Sequence, residues 1–449
     1  MIKRHRGSAK YSRRRTVLRS AAGAAVLALL AACSSGTSAG GAGSGGSGAT
    51  GDQKVTISLS MQNANVKDSD PATYAVVQAF EQKYPNVKVD LQGQQVEQHL
   101  QAMQVAAQSN TLPDIFWVYN SIAQTMQKDG KLLDLSPILN STGIKDKFAD
   151  SMTSGFRQGG AQYGLPYQAL ITGFYYNKAI LAKHGLAVPV TSDDLLNVVK
   201  ALHAKGVTTI AQGAKDSGFS VWAYLTMLDR FGYEQKYPDI LAGKASYNNP
   251  DFEKVYDYLD QLGKAGAFPP NIATQTYVQA VASFKSGKAA MLNSGVWQAS
   301  EIQSSPVGAD TGFWAGPTFA NGVGKQELAM NVASAPFVVA ATVKDDAAKL
   351  QAVTDFVGFY YSDAGQQILV DNAQAPVTTY KGQIPSSQSV FAAVLAEASK
   401  PGWSSPQAQP DLVVSAETAS AMYDSMYGVM QGVYSPSQAL DVVQTTIKP

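Results

Sequence analysis

Cysteine is almost missing from this sequence: one residue of 449, Cys33, carries a thiol. That excludes a disulfide framework and, with Cys33 so near the start, a thiol nucleophile in the folded part. Histidine is scarce as well. His5 stands in a basic leader, and His99, His184 and His203 fall on separate helical stretches. No H-x-x-H, E-x-x-H or Cys/His cluster therefore offers a zinc site. There is no P-loop, and no G-x-S-x-G elbow outside a low-complexity stretch. Asp68-Ser69-Asp70 could touch a calcium ion, but Asp70 before Pro71 reads better as a helix cap. No Asp/Glu pair stands out as the acid and nucleophile of a glycosidase. Charged residues are only 15% of the chain against 45% hydrophobic, so the surface must lean on neutral polar groups.

Basic charge is missing where a nucleic-acid-binding protein would need it. Eight of the 35 basic residues precede position 33, where no acidic residue occurs, and the remainder holds 27 basic against 34 acidic residues. A nucleic-acid partner is not expected for that remainder. The basic start is followed by Ala21 to Ala32, about twelve apolar or small residues, too short to span a bilayer and suited to an export signal. Arg14-Arg15-Thr16-Val17-Leu18 loosely fits a twin-arginine signal. Leu30-Ala31-Ala32-Cys33 looks like a bacterial lipobox, which implies a lipid on Cys33 and an anchor in the cell membrane. Ser34 to Gly51 is Gly/Ser/Ala-rich and reads as a flexible tether.

Beyond the tether the chain is long enough for two domains with real cores. Val55, Ile57 and Leu59 alternate, as do Val87, Val89 and Leu91, and Ile115 to Val118 is a short apolar strand. Between them lie two amphipathic helices, one capped by Asp70-Pro71 and one carrying Val96, Leu100, Met103 and Ala107. This β-α-β-α-β order predicts a parallel sheet with right-handed crossovers. Ligands sit beyond the carboxyl ends of such strands. Those ends are Gln62-Asn63 and Trp117-Val118-Tyr119-Asn120, neutral, amide-bearing and aromatic. Gly164 to Lys178 then pairs a Gly/Pro turn with an apolar, aromatic run and reads as a passage into a second lobe, with Tyr167 and Gln168 at its start. In that lobe Thr191 and Asn249-Pro250 cap helices. Trp222 follows a loop, and a helix ending at Gly287 leads into the strand Ala289 to Leu292. Phe313 to Phe319 and Ala373 to Val377 read as further passages, and Trp403 lies in a Pro/Gly-flanked loop.

The wording Y-G-L-P-Y-Q…Y-Y-N-K from Tyr163, and F-K-S-G-K-A-A-M-L-N-S-G-V-W from Phe284 to Trp297, resembles the extracellular solute-binding proteins of ABC importers, the maltose-binding-protein-like class. The resemblance covers nearly everything from residue 54 onward. It implies an α/β, two-lobed, periplasmic-binding-protein-like clamshell, each lobe a mostly parallel sheet flanked by helices, with three hinge crossings. The expected division is a signal over 1–32, a tether over 33–52, a first lobe over 53–164 and 315–373, and a second over 165–314 and 374–449. The implied function is a monomeric, lipid-anchored extracytoplasmic receptor, without cofactor or catalysis, that binds a carbohydrate and delivers it to ABC permease subunits in the membrane. Aromatic rings and amides at strand ends suit sugars, whose C–H faces stack on rings and whose hydroxyls meet planar amides. Trp297 is the first candidate for stacking, from the G-x-W segment. Trp117 and Asn120 align with first-lobe contacts of the maltose-binding type, which has an aspartate where Asn120 stands. Tyr119, Gln62, Asn63, Tyr167, Gln168, Trp222 and Trp403 complete the expected ligand set, and Trp314 is expected in hinge packing. A peptide, polyamine or sugar phosphate in the same fold is the alternative, although no carboxylate or arginine occupies the strand ends. A surface hydrolase is a remoter one.

Overall fold

Val55, Ile57 and Leu59 alternate with polar residues, and this segment forms the strand β1 (Val55–Met61) with Ile57, Leu59 and Met61 inaccessible to solvent. The computed structural model describes residues 54–215 and 220–447. The leader, Cys33 and the tether lie outside them. The elements that position the site follow in order: α1 (Pro71–Lys83), β2 (Val87–Gly93), α2 (Val96–Ser109), β3 (Ile115–Trp117), β4 (Gly164–Pro166), β5 (Ala169–Asn177), β6 (Thr208–Ala211), α3 (Trp222–Arg230), α4 (Tyr277–Lys285), β7 (Ala289–Gly295), β8 (Thr311–Trp314), β9 (Met330–Ala333), β10 (Pro336–Val339) and α5 (Ala416–Met430).

Two five-stranded sheets result. The first has the order β2-β1-β3-β10-β4; in the second, β8-β5-β7-β6, strand β9 also pairs with β5. One apolar core lies on the first sheet and continues onto one face of the second through Tyr175, Leu292 and Phe313, and another covers the second sheet's other face. Phe80 of α1 meets Phe356 edge to face at 5.1 Å in the first, and Tyr224, Leu259 and Met426 are buried together in the second. A single carboxylate ties β1 to the start of β3. Asp114 accepts from the Ser58 N–H at 2.8 Å and the Ser58 O–H at 3.0 Å, and Lys349 Nζ lies 3.0 Å from it. The helix starts expected from the sequence form as caps. Thr191 and Asp194 make a reciprocal capping box, and Asn249 Oδ1 accepts from the N–H groups of Asp251 and Phe252, each satisfying donors a helix end leaves unpaired.

Strand direction departs from the expectation of two mostly parallel sheets. In the first, β1 runs parallel to β2 and β3, but β10 is antiparallel to both β3 and β4. In the second, β5 is antiparallel to β7, β8 and β9, and only β6 with β7 is parallel. A buried strand reads as the same apolar run in either direction, so local pattern cannot fix its sense. The passages also shift. The first falls at Tyr167-Gln168, between β4 and β5, within the stretch read as a passage but after the boundary drawn at 164/165. The second is at Ser334-Ala335, between β9 and β10, and not at Phe313 to Phe319. The stretch 315–329 stays with the second sheet because Arg230 holds it: Arg230 Nη2 donates to Leu328 O at 2.7 Å, and Gln326 Nε2 donates back to Arg230 O at 2.9 Å. The third follows Val377, since the Thr379 N–H still donates to Lys147 O, whereas the Val390 N–H donates to Gln303 Oε1 beyond β7.

At the first passage Tyr167 is buried, and its O–H donates to Asp70 Oδ2 at 2.5 Å while Asp70 Oδ1 caps α1 through the Thr73 N–H at 3.1 Å. Burial raises the Asp70 pKa above the usual carboxylate value, opposed by the hydrogen bonds from Thr73 and Tyr167. One carboxylate thus joins a helix cap to a hinge crossing. Asp70→Ala should cost roughly 2–4 kcal/mol, from a lost cap and an unpaired buried hydroxyl, and Tyr167→Phe about 1 kcal/mol. In denaturant unfolding the double variant should cost less than the sum of the singles; strict additivity would mean the two side chains do not interact.

Candidate functional site

The first sheet offers acceptors at the end of β1. The side-chain oxygens Gln62 Oε1 and Asn63 Oδ1 are buried, with no donor among the described residues, while Asn63 Nδ2 reaches Ser69 O at 3.5 Å. Their turn needs the neighbouring Gly93: a Cβ there would stand 2.0 Å from Asn63 O, so any other residue would push the turn away. At the end of β3, Trp117 is buried and Tyr119 is 46% exposed, their rings 4.9 Å apart and edge to face. The Tyr119 carbonyl accepts from the N–H groups of Ile122 and Ala123, so the start of the next helix fixes its backbone.

The second sheet offers rings. Gly295 ends β7, and a Cβ on it would lie 2.2 Å from Trp297 Cζ3. The G-x-W spacing therefore has a steric cause: the indole folds back over a backbone that only glycine leaves bare. Trp297 Nε1–H donates to Tyr277 Oη at 3.0 Å, and Tyr277 Oη lies 2.6 Å from Ser294 Oγ. Trp222, at the start of α3, packs edge to face on both, 4.7 Å from Trp297 and 5.3 Å from Tyr277. Trp222 is buried and Trp297 half-buried. Burial pushes the Tyr277 hydroxyl up to about 12, so it remains a neutral donor and acceptor at ordinary pH. The adjacent Gln298 Oε1 is a buried acceptor without a donor among the described residues. Beneath the rings, Asn293 Oδ1 accepts from the Ala223 N–H at 3.0 Å and Asn293 Nδ2 donates to Gln212 Oε1 at 3.1 Å. A strand residue thereby holds the α3 N-terminus, and with it Trp222, in place.

A carboxylate that the sequence reading passed over lies within electrostatic range of Tyr119. Asp411 accepts from the Tyr423 O–H at 2.6 Å and from Gln409 Nε2 at 2.8 Å. Burial raises its pKa, opposed by those hydrogen bonds. The Tyr119 hydroxyl is raised by burial first and by the Asp411 charge second. Gln409-Pro410-Asp411 reads locally as a loop, and only its partners, Tyr423 twelve residues on and Tyr119 far away in sequence, mark it. Tyr277 was equally silent, one aromatic at a capped helix start.

The other expected residues have different placements. Asn120 is occupied on both sides: its Nδ2 donates to Gly155 O at 3.2 Å and its Oδ1 accepts from the Tyr163 O–H at 2.8 Å. Tyr167 is committed to Asp70, and Trp117 supports Tyr119 from within the core. Gln168 lies in the crossing, its carbonyl accepting from the Ser334 N–H at 3.0 Å. The Trp403 ring carries its own cation, Lys400 Nζ, 4.2 Å from the ring centroid. Trp314 is buried against Phe174 in the second core. No group of three or more metal-binding side chains occurs among the described residues. Two cavities of about 350 and 460 Å³ lie elsewhere, one beside Arg157 and Gln162, the other beside Lys236 and Asp251.

The profile of bacterial extracellular solute-binding proteins matches residues 63–367. An uncharacterized ABC transporter extracellular-binding protein of Pyrococcus horikoshii is 27% identical over 230 residues, 49% of this chain and 52% of that protein. The chain thus spans about half the length of that relative. The multiple sugar-binding protein of Streptococcus mutans is 23% identical over 301 residues, 63% of this chain and 68% of that protein. A solved chitin oligosaccharide binding protein superposes with a TM-score of 0.75 at 23% identity, over 88% of this chain and 98% of that one. The likeness to that structure is one of fold, the two-lobed solute-binding architecture. With its profile matched over more than half the sequence, the chain belongs to the bacterial extracellular solute-binding protein family.

Proposed function

We propose that this chain is the extracytoplasmic receptor of an ABC importer, that it takes a neutral carbohydrate between its two lobes, and that it hands the ligand to a membrane permease. Cys33 is its lipid anchor. The observation that carries the ligand class is that three buried acceptors without a donor among the described residues, Gln62 Oε1, Asn63 Oδ1 and Gln298 Oε1, fall at strand ends that also present Tyr119 and Trp297. An unpaired buried acceptor costs free energy until a donor arrives, and sugar hydroxyls are dense donors on a ring whose C–H face stacks on aromatics. Relatives named for multiple sugars and for chitin oligosaccharides support the same class. A polyamine fits less well, because both oxygens of Asp411 already accept from Tyr423 and Gln409. The process is binding, with closure as a shift between populations of one fold.

Thermal unfolding against a panel of oligosaccharides, peptides and polyamines tests the class. A sugar at a hundred times its Kd should add about 2.7 kcal/mol and raise the midpoint by a few degrees; shifts confined to peptides or amines would refute the carbohydrate reading. Trp297→Ala should weaken the sugar that binds by about tenfold or more, roughly 1.4 kcal/mol, with cooperative unfolding retained. Gly295→Ala should weaken it comparably, because the new Cβ displaces the indole; full affinity in both variants would remove Trp297 from the site. Cys33→Ser should move the protein from the membrane fraction to the medium, and retention at the membrane would exclude this anchor.

A further inference from the structure

Of the three histidines beyond the leader, His99 has no solvent exposure and lies beneath the first-sheet strand ends just described. It sits on α2, and its ring reaches two strands at once. Nε2 is 2.6 Å from the carbonyl oxygen of Trp117, the last residue of β3, and Nδ1 is 3.5 Å from Ser60 Oγ, one residue before the end of β1. The Trp117 and His99 rings lie 6.0 Å apart, and Trp117 in turn backs Tyr119 at 4.9 Å. A carbonyl can only accept, so the short contact requires the proton on Nε2. That leaves Nδ1 as the acceptor for the Ser60 hydroxyl. One neutral imidazole therefore bridges the base of Gln62-Asn63 to the base of Tyr119.

We propose that His99 is a positioning residue of the ligand site: in its neutral Nε2–H form it fixes the β1 end, with its two amide acceptors, relative to the β3 end, with its aromatic ring, and a second proton undoes that registration. The inference rests on the assignment of these strand ends to the ligand site. Among the described residues no carboxylate is paired with this imidazole. Neither β1 nor β3 carries a charged side chain. Asp114, just before β3, is taken by Ser58 and Lys349, while Lys88 and Asp90 of β2 and Glu97 of α2 are exposed. Tyr119 is a phenol and carries no charge in this pH range. Burial lowers the His99 pKa below the ordinary value of 6.5, partly opposed by the bond to Trp117 O. The sign follows: above about 6.5 the native form keeps its full advantage, and as pH falls through the lower folded value that advantage is lost, because the unfolded chain takes the proton more readily.

The test uses the whole protein and two substitutions. His99→Gln retains a donor for Trp117 O, and His99→Leu removes it at similar volume. Without any ligand, nitrogen-resolved histidine NMR should find His99 as the Nε2–H tautomer, titrating below the ordinary histidine value. With the intrinsic, base-catalysed pH dependence divided out, amide protection in 59–63 and 117–120 should drop together, by about tenfold, between pH 7.5 and 5. His99→Leu should show the low protection at every pH, and His99→Gln the high protection at every pH. An ordinary titration near 6.5, the other tautomer, or protection whose pH profile survives in His99→Gln would overturn the proposal. With maltotriose and triacetylchitotriose as probes, wild-type affinity should fall about tenfold over the same pH range and stay level in His99→Gln. If neither sugar binds at any pH, the carbohydrate assignment is what fails, and the exchange profiles still decide the role of His99.

Discussion

Two backbone hydrogen bonds hold the two sheets in register at their junction: the Tyr167 N–H to Ala335 O at 3.4 Å and the Ser334 N–H to Gln168 O at 3.0 Å. They join the two passages between the sheets, Tyr167-Gln168 and Ser334-Ala335, into one narrow ribbon. On one side of that ribbon β4 pairs with β10; on the other β5 pairs with β9. The ribbon is therefore the same antiparallel pair continued through both sheets, interrupted for two residues on each chain. Every strand of the second sheet except β6 pairs directly with β5. A small rotation at those residues would move one sheet relative to the other without opening either ladder, which is how hinge motions are accommodated.

This geometry sets where the carbonyls at the junction find their donors. Tyr360 O–H donates to Tyr167 O at 3.2 Å, Tyr361 O–H donates to Pro166 O at 3.0 Å, and Gln374 Nε2 lies 3.5 Å from Tyr167 O. Carbonyls that leave a ladder at a crossing must find donors elsewhere, and tyrosines supply them from within the core. Burial raises the pKa of both Tyr360 and Tyr361, so these remain donors across the physiological range. At the strand ends the amide oxygens of Gln62, Asn63 and Gln298 have no donor among the described residues. The carbonyls at the junction belong to the frame, and on the proposed reading the amide oxygens at the strand ends are the groups that meet a solute.

Much of the frame was legible because it is local. The alternation in β1 and β2, the caps at Asp70, Thr191 and Asn249, and the passage at Tyr167-Gln168 each depend on residues close in sequence. The Phe284 to Trp297 segment was legible for a steric reason as well, since Gly295 and Trp297 constrain each other two residues apart. What was not legible depends on distant partners. The sense of β5 follows from its pairing with β7, β8 and β9, and the second passage moved because Arg230 binds backbone nearly a hundred residues away. Trp117 looked available because a three-residue apolar strand does not reveal that both its faces are covered. Asp411 and Tyr277 gain their places only from side chains in other elements, and no single-sequence pattern carries that information.

The same division bears on how a receptor of this kind can both hold and release. On the proposed reading its affinity comes from neutral hydrogen bonds, each worth about 0.5–1.5 kcal/mol net, and from ring stacking. Such a sum is distributed over two sheets, the acceptors at Gln62 and Asn63 on one and the rings at Trp297 and Tyr277 on the other. Neither half alone binds tightly, so the closed arrangement is favoured only while the solute touches both. Separating the sheets at the Tyr167 and Ser334 ribbon then weakens binding steeply without breaking any single strong bond. A site built on a buried ion pair would lack that property, because the desolvated charge left behind on opening would oppose release.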